Sequence, residues 1–80
     1  MAKTTLKTFS TEGDQKRVGF YVHYDDKKLY AIDKMIDIVE GKTKEQYISE
    51  AHALAKPEID AWLEETNMEG SEIDSDGNII

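Results

Sequence analysis

The clearest alternation of apolar and polar positions in the chain lies at residues 17–23. Val18, Phe20 and Val22 occupy every second position of this segment. A period of two with β-branched and aromatic residues is typical of a half-buried strand. The pattern therefore predicts a strand with one apolar face. Its other face consists of Arg17, Gly19, Tyr21 and His23.

The spacing of apolar residues changes to a helical period after this strand. The positions that share this spacing are Leu29, Ile32, Met35, Ile36 and Val39. Their spacing predicts a first helix with its N-cap at Asp25 or Asp26. Gly41 follows at the place where a left-handed residue usually ends a helix. We therefore expect this helix to connect directly to a second one.

Two further helices are predicted between residues 43 and 66. Thr43 and Gln46 have the spacing of a capping box, which marks the start of the second helix. Pro57 disfavours helical geometry at Lys56 and suits the first turn of a new helix. A third helix is therefore expected to begin at Pro57 and to fray near Thr66, where the apolar pattern ends.

Residues 1–16 permit two interpretations. They are either the first strand of a hairpin with residues 17–23 or an N-terminal arm, because the alternation in them is weak. The chain accordingly divides into this segment, a strand-helix-helix core at 17–56, and a third helix with an acidic tail at 57–80. Eighty residues allow one domain at most.

Charge is distributed unevenly along the chain. The net charge is −7, yet residues 57–80 hold eight acidic residues and no basic residue. Residues 1–24 hold four basic and two acidic residues, so this part remains compatible with a polyanionic ligand. The acidic tail becomes a separate candidate for binding a protein partner.

Several function classes find no support in the residue pattern. The chain has no cysteine, and its two histidines lack the neighbours that a metal site needs. No paired nucleophile and base stands out, so no catalytic residue, metal ligand or cofactor is assigned and the protein is not expected to be an enzyme. Apolar runs are too short for a membrane span. These features favour a cytoplasmic location.

The order of strand, helix, glycine turn and capped helix resembles the ribbon-helix-helix family of DNA-binding repressors and antitoxins. The matching segments are R-V-G-F-Y-V-H at 17–23, the stripe of Leu29, Ile32 and Ile36, G-K-T at 41–43, and Y-I-S-E-A at 47–51. The resemblance implies a mainly α fold with a short strand, in which two chains form a homodimer through a shared ribbon. The third helix would be an addition to that fold.

The resemblance also implies a DNA site and a function. The ribbon would enter the major groove of operator DNA, and the second helix start would bind the phosphate backbone. The expected base contacts are Arg17, Tyr21 and His23, and the expected phosphate contacts are Lys42, Thr43 and Lys44. The function would be that of a dimeric, sequence-specific transcriptional repressor, an antitoxin, or another plasmid or phage regulator.

The residues leave a second interpretation open. The chain is then a monomeric, small α+β domain with an N-terminal β-hairpin, and it acts as a protein-binding inhibitor of phage or plasmid origin that uses its acidity to mimic nucleic acid or to occupy a basic surface. In either interpretation the segment after Pro57 is the candidate contact for a protein such as a toxin. The candidate partner-binding residues are Ile59, Trp62, Leu63, Glu64 and Glu65.

Overall fold

Three antiparallel strands followed by one long helix make up the fold. The computed structural model describes residues 2–25, 29–69 and 71–79. Its elements are β1 (Lys3–Glu12), β2 (Gln15–His23), β3 (Leu29–Asp37) and α1 (Lys44–Met68). The sheet has the order β1-β2-β3, which places β2 in the centre. The protein is therefore an α+β domain, and the predicted mainly α, ribbon-helix-helix class is wrong.

The first two strands form an N-terminal hairpin, as the α+β alternative predicts. Their two-residue turn begins at Gly13, which has a φ of 62°, and Glu12 pairs with Gln15 beside it. Glycine at the first turn position is typical of a type II′ turn, whose twist matches that of the strands. The register shifts once, between Leu6 and Thr8. Lys7 is the extra residue of this β-bulge.

The segment predicted as the first helix is strand β3. Tyr30, Ile32, Lys34 and Ile36 lie on the α1 side of the sheet, while the residues between them face away. The same sequence fits a period of two as well as a helical period, and its β-branched residues favour the strand. Hydrogen bonding to the open edge of β2 then favours the strand over the helix. Residues 26–28, where the predicted helix would start, lie outside the described residues.

Pairing on both sides of β2 also rules out the predicted ribbon dimer. β2 is hydrogen-bonded to β1 on one edge and to β3 on the other. A ribbon between two chains needs a free edge on this strand. The extra pairing partners come from the same chain, so the strand at 17–23 is the centre of an intrachain sheet.

The second and third predicted helices are a single helix, α1. The capping box at Thr43 and Gln46 is present as predicted. Pro57 lies inside the helix and is exposed, as is Ala53, four positions earlier. Because the carbonyl group that loses its hydrogen bond to Pro57 belongs to this exposed part of the helix, water can satisfy it. The predicted break at Pro57 is therefore absent.

The core lies between one face of the sheet and α1. Ala51 and Ala55 are fully buried, and their small side chains let the helix approach the sheet closely. Tyr30 stacks on Trp62 at 5.3 Å between ring centroids, which extends the core toward the C-terminal half of α1. The buried apolar residues are Val18, Phe20, Val22, Ile32, Ile36, Tyr47, Ala51, Ala55 and Ile59.

Candidate binding surfaces

An ion-pair network crosses the sheet face that α1 leaves open. Lys7 Nζ on β1 lies 3.0 Å from Asp33 Oδ1 on β3. Arg17 Nη1 on β2 donates to Asp33 Oδ2 at 3.2 Å, and its Nε and Nη2 donate to the two carboxylate oxygens of Glu12. Two cations and two carboxylates thus neutralise one another across all three strands.

Gly19 allows this network to form. It lies on β2 between Thr8 and Asp33, and the Asp33 side chain crosses above it to reach β1. A Cβ atom at position 19 would overlap Asp33 Oδ1 and would lie 3.2 Å from Thr8 Cβ. Glycine at this position is explained by the close approach of Asp33, with no contact to a ligand required.

The network shifts the proton affinities of its members. The hydrogen bond from Arg17 holds the pKa of Glu12 below its ordinary value. The hydrogen bond from Lys7, followed by that from Arg17, lowers the pKa of Asp33. Hydrogen bonds to Glu12 and Asp33 raise the pKa of Arg17 further. Each charge is therefore stabilised by its neighbours, and the positive charge of Arg17 is already balanced within the chain.

The three predicted base-contact residues share the open face of β2. Tyr21 and His23 lie next to each other, with ring centroids 6.1 Å apart. His23 Nε2 is hydrogen-bonded to Thr5 Oγ1 at 3.1 Å. Arg17 is held by the ion-pair network at the other end of this face. The structure thus brings these residues onto one surface, as alternation predicted, but on a three-stranded sheet.

The predicted phosphate contacts at the start of α1 have partners within the chain. Lys42 Nζ lies 2.5 Å from Glu50 Oε2 and 5.2 Å from the centroid of the Tyr47 ring. Thr43 Oγ1 accepts a hydrogen bond from the backbone of Gln46. Lys44 is exposed. Side-chain packing therefore explains the position of Lys42, and helix capping explains that of Thr43, without a bound phosphate.

Most basic side chains of the described part are paired with carboxylates. Of its eight lysines and arginines, five form ion pairs: Lys7, Arg17, Lys34, Lys42 and Lys56. Lys3, Lys16 and Lys44 have no such carboxylate partner. A phosphate-binding surface needs uncompensated positive charge. The basic residues of the described part do not form a surface with much uncompensated positive charge.

The predicted partner-binding residues divide between the core and the surface. Ile59 is buried, and Trp62 and Leu63 are partly buried against the core. Glu64 and Glu65 are exposed. Among the described residues neither of these two glutamates has an ion-pair or hydrogen-bond partner for its side chain. The exposed part of the prediction is therefore the acidic pair.

Acidic residues continue from this pair into the tail. Exposed carboxylates follow one another along the end of α1 and the segment after it. We call this set the acidic surface; it consists of Glu64, Glu65, Glu69, Glu72 and Asp76. Sequence reasoning named its first two members and assigned the others only to the tail as a whole.

The acidic surface opposes the local electrostatics of the helix. The C-terminal end of a helix carries a partial negative charge, so acidic residues there are unfavourable. The last turn of α1 contains no basic residue. Glu65 and Glu69 are four positions apart, as are Asp60 and Glu64, and like charges at this spacing repel each other. A cationic partner would relieve this repulsion.

The tail beyond α1 forms a small turn. Ile73 and Ile79 form an antiparallel bridge, and both side chains are more than half exposed. Asp74 Oδ1 accepts hydrogen bonds from the backbone amides of Asp76 and Asn78, both at 2.9 Å. Gly77 has a φ of 85°, which the turn requires. The tail therefore presents two isoleucines beside the acidic surface.

A groove of about 500 Å³ separates α1 from β1. Leu6, Phe20 and Ile48 form its apolar floor, and His52 packs edge-on against Phe20 with centroids 5.6 Å apart. It is open and contains no cluster of polar groups that would orient a small ligand. In the described part of the chain no group of histidine, aspartate or glutamate residues is arranged to hold a metal ion.

Comparison with known proteins gives no relative. No family model, no curated protein and no solved structure matches this chain. Within the described residues no helix is long and apolar enough to cross a membrane.

Proposed function

We propose that this protein is a small binding module that docks its acidic surface onto a basic surface of a partner protein. The observation that carries the proposal is the run of exposed carboxylates at the end of α1, whose last turn contains no basic residue. Glu64 and Glu65 are its centre, because their side chains have no partner among the described residues. Residues that break a local rule in this way are often functional.

The chemistry of the partner follows from that of the surface. Carboxylates in series resemble the phosphates of a nucleic acid in charge, so a protein surface that binds polyanions would accept them. Ile73 and Ile79, both exposed, add apolar contacts next to the charges. An inhibitor that blocks a nucleic-acid-binding protein and an antitoxin that covers a basic toxin are two forms of this activity.

Binding to a basic partner would also offset the electrostatic cost that the acidic surface imposes on the free protein. Each like-charge pair at helical spacing costs about 0.2–0.5 kcal/mol, and each acidic group near the helix end costs a similar amount. These contributions are small beside the stability of the fold. They are sufficient to favour association when several of them are neutralised together.

A pair of charge-reversal variants tests the proposal. Glu64→Lys/Glu65→Lys changes the acidic surface, whereas Asp14→Lys/Glu40→Lys changes the net charge equally at exposed positions away from it. The unmodified chain and both variants are used as bait for cross-linking and capture from cells that encode the protein. We expect a partner that the chain and the Asp14/Glu40 variant retain and that the Glu64/Glu65 variant loses.

The same partner should be released by the polyanion heparin and by salt at about 0.5 M, where charge interactions are strongly screened. Circular dichroism provides the folding control, and the Glu64/Glu65 variant should keep its helix because lysines suit a helix C-terminus. Equal capture by both variants would contradict the proposal. Retardation of DNA fragments by the chain, abolished by Lys44→Glu, would contradict it in favour of DNA binding.

A further inference from the structure

The outer edge of β3 is a second surface, independent of the acidic one. β3 pairs with β2 on one side, and β3 is the last strand of the sheet. Its nine residues pair with β2 without a register shift, whereas β1 is interrupted by the bulge at Lys7. A straight edge strand presents a row of unpaired backbone N–H and C=O groups that another strand can complete.

Exposed apolar side chains accompany this edge on both faces of the sheet. Leu29 and Met35 are 54% and 37% exposed on the face opposite α1. On the helix side, Leu54 is 56% exposed. Leu54 lies four positions before Glu58, on the same flank of α1, and Glu58 is paired with Lys34 of β3. Ile38 and Val39, directly after the strand, are also exposed.

We propose that a second copy of this chain pairs antiparallel along this edge, with Ile32 of both copies at the two-fold axis. Two three-stranded sheets then become one six-stranded sheet with both helices on the same side. This inference does not depend on the proposed function, because it is argued from the free edge of β3 and not from the acidic surface.

Among the axes from Ile32 to Met35, the sequence of β3 favours the one at Ile32. A two-fold axis keeps each face of the sheet continuous only when equivalent residues meet on the axis. Axes at Asp33 or Lys34 place like charges directly opposite each other, and an axis at Met35 places Asp33 opposite Asp37, all of which are unfavourable. The axis at Ile32 instead pairs Leu29 with Met35 and Tyr30 with Lys34. These are an apolar pair and a cation with an aromatic ring.

The position of α1 fits this arrangement. The helix packs over β2 and β3, as shown by Phe20 against His52 and by Tyr30 against Trp62. Neighbouring strands are about 4.8 Å apart, so two helices centred between these strands would lie about 10 Å apart across the axis. That is the distance at which helices usually pack. Ala61, small and exposed, lies on the flank that faces the second copy.

Sedimentation analysis of two matched variants tests which edge is used. Leu29 on β3 and Leu6 on β1 are 54% and 50% exposed, and each is replaced by glutamate. We expect the chain to form a dimer at about 10–100 µM, and Leu29→Glu to raise the dissociation constant about tenfold or more. Leu6→Glu should change it by about twofold or less. A monomer at about 100 µM, or an equal loss in both variants, would overturn the proposal.

Introduced thiols test the register, because the chain has no cysteine of its own. In Leu29→Cys/Met35→Cys the two thiols of one chain are about 20 Å apart, so a disulfide can form only between copies. We expect mild oxidation to give a covalent dimer. In the control Ala31→Cys/Met35→Cys, a thiol at position 31 of one copy lies opposite a thiol at position 35 of the other only if the axis is at Asp33. Faster cross-linking of this control would overturn the Ile32 register.

Discussion

Gly19 leaves a gap on the central strand, and the side chain of Asp33 occupies it. Replacing Gly19 with alanine would force Asp33 away from Lys7 and would press against Thr8, whose Cβ lies 3.2 Å from the added atom. We expect Gly19→Ala to lower the free energy of unfolding by about 1–3 kcal/mol, the usual cost of overpacking. The loss of exposed ion pairs alone would cost about 1 kcal/mol or less. Urea denaturation measures the difference.

A double-mutant cycle separates the two contributions. Asp33→Ala removes the side chain that the new methyl group would meet, so Gly19→Ala should cost less in that background. The remaining cost reports the contact with Thr8. If Gly19→Ala is equally destabilising with and without Asp33, the steric explanation based on Asp33 is incorrect.

The same network predicts how stability responds to acid. The ordinary pKa values are 4.5 for Glu12 and 3.8 for Asp33, and both are lowered in the folded protein. Their stabilisation is therefore present above these ordinary values and is lost as the pH falls through the lower, folded-state values. We expect Glu12→Gln/Asp33→Asn to lose less stability than the unmodified chain on acidification below about pH 5.

Urea unfolding across this pH range measures the effect. Asp14→Asn/Glu40→Gln removes the same number of carboxyl groups outside the network and serves as the control. The unmodified chain and this control should have the same steep dependence on pH. A shallower dependence in the control than in the Glu12/Asp33 variant would contradict the assignment.

Among the elements, α1 contains a residue that weakens it. Pro57 cannot donate a hydrogen bond to Ala53, and a proline inside a helix costs about 3 kcal/mol relative to alanine. Pro57 is exposed, so its ring has no place in the core. We expect Pro57→Ala to raise the free energy of unfolding by about 1–3 kcal/mol, as measured by urea denaturation at 222 nm. Lower stability would mean that the proline ring makes a stabilising contact.

The elements also show how far the sequence determines the fold. Alternation at Val18, Phe20 and Val22 correctly predicted β2, and the capping box correctly predicted the start of α1. The segment from Leu29 to Val39 was assigned the wrong period, because its apolar residues satisfy both helical and strand spacing. The choice between helix and strand is decided by the need of β2 for a hydrogen-bonded partner on each edge, and that is a tertiary effect. Local preference likewise predicted a break at Pro57 that packing of the helix overrides.

For the candidate sites, too, local sequence pattern predicted some features, and tertiary contacts determined the others. Alternation correctly placed Arg17, Tyr21 and His23 on one face of a strand. It could not reveal that Arg17 is held by Glu12 and Asp33, because those contacts come from neighbouring strands. The exposed acidic pair at Glu64 and Glu65 was predictable from composition alone, since a run of charge without counterions remains at the surface. The β3 edge was hidden by the error in assigning that segment.

For the whole molecule, the two proposed surfaces differ in their response to salt. The net charge of −7 is carried by each copy, so two copies repel each other while the edges of β3 attract. Screening reduces that repulsion, because exposed charges interact over about 10 Å at 0.1 M salt and about 3 Å at 1 M. We therefore expect the dissociation constant of the dimer to fall as sodium chloride rises from about 0.05 to 0.5 M. Sedimentation equilibrium measures it.

Binding of a basic partner through the acidic surface should change in the opposite direction, because screening weakens attraction between unlike charges. Glu64→Lys/Glu65→Lys links the two effects: it reduces the net negative charge, so it should weaken partner capture and at the same time strengthen the dimer at low salt. Asp14→Lys/Glu40→Lys is the control, since it should strengthen the dimer similarly and leave capture intact. A dimer that weakens with added salt would mean that opposite charges, rather than apolar edge contacts, hold the two copies together.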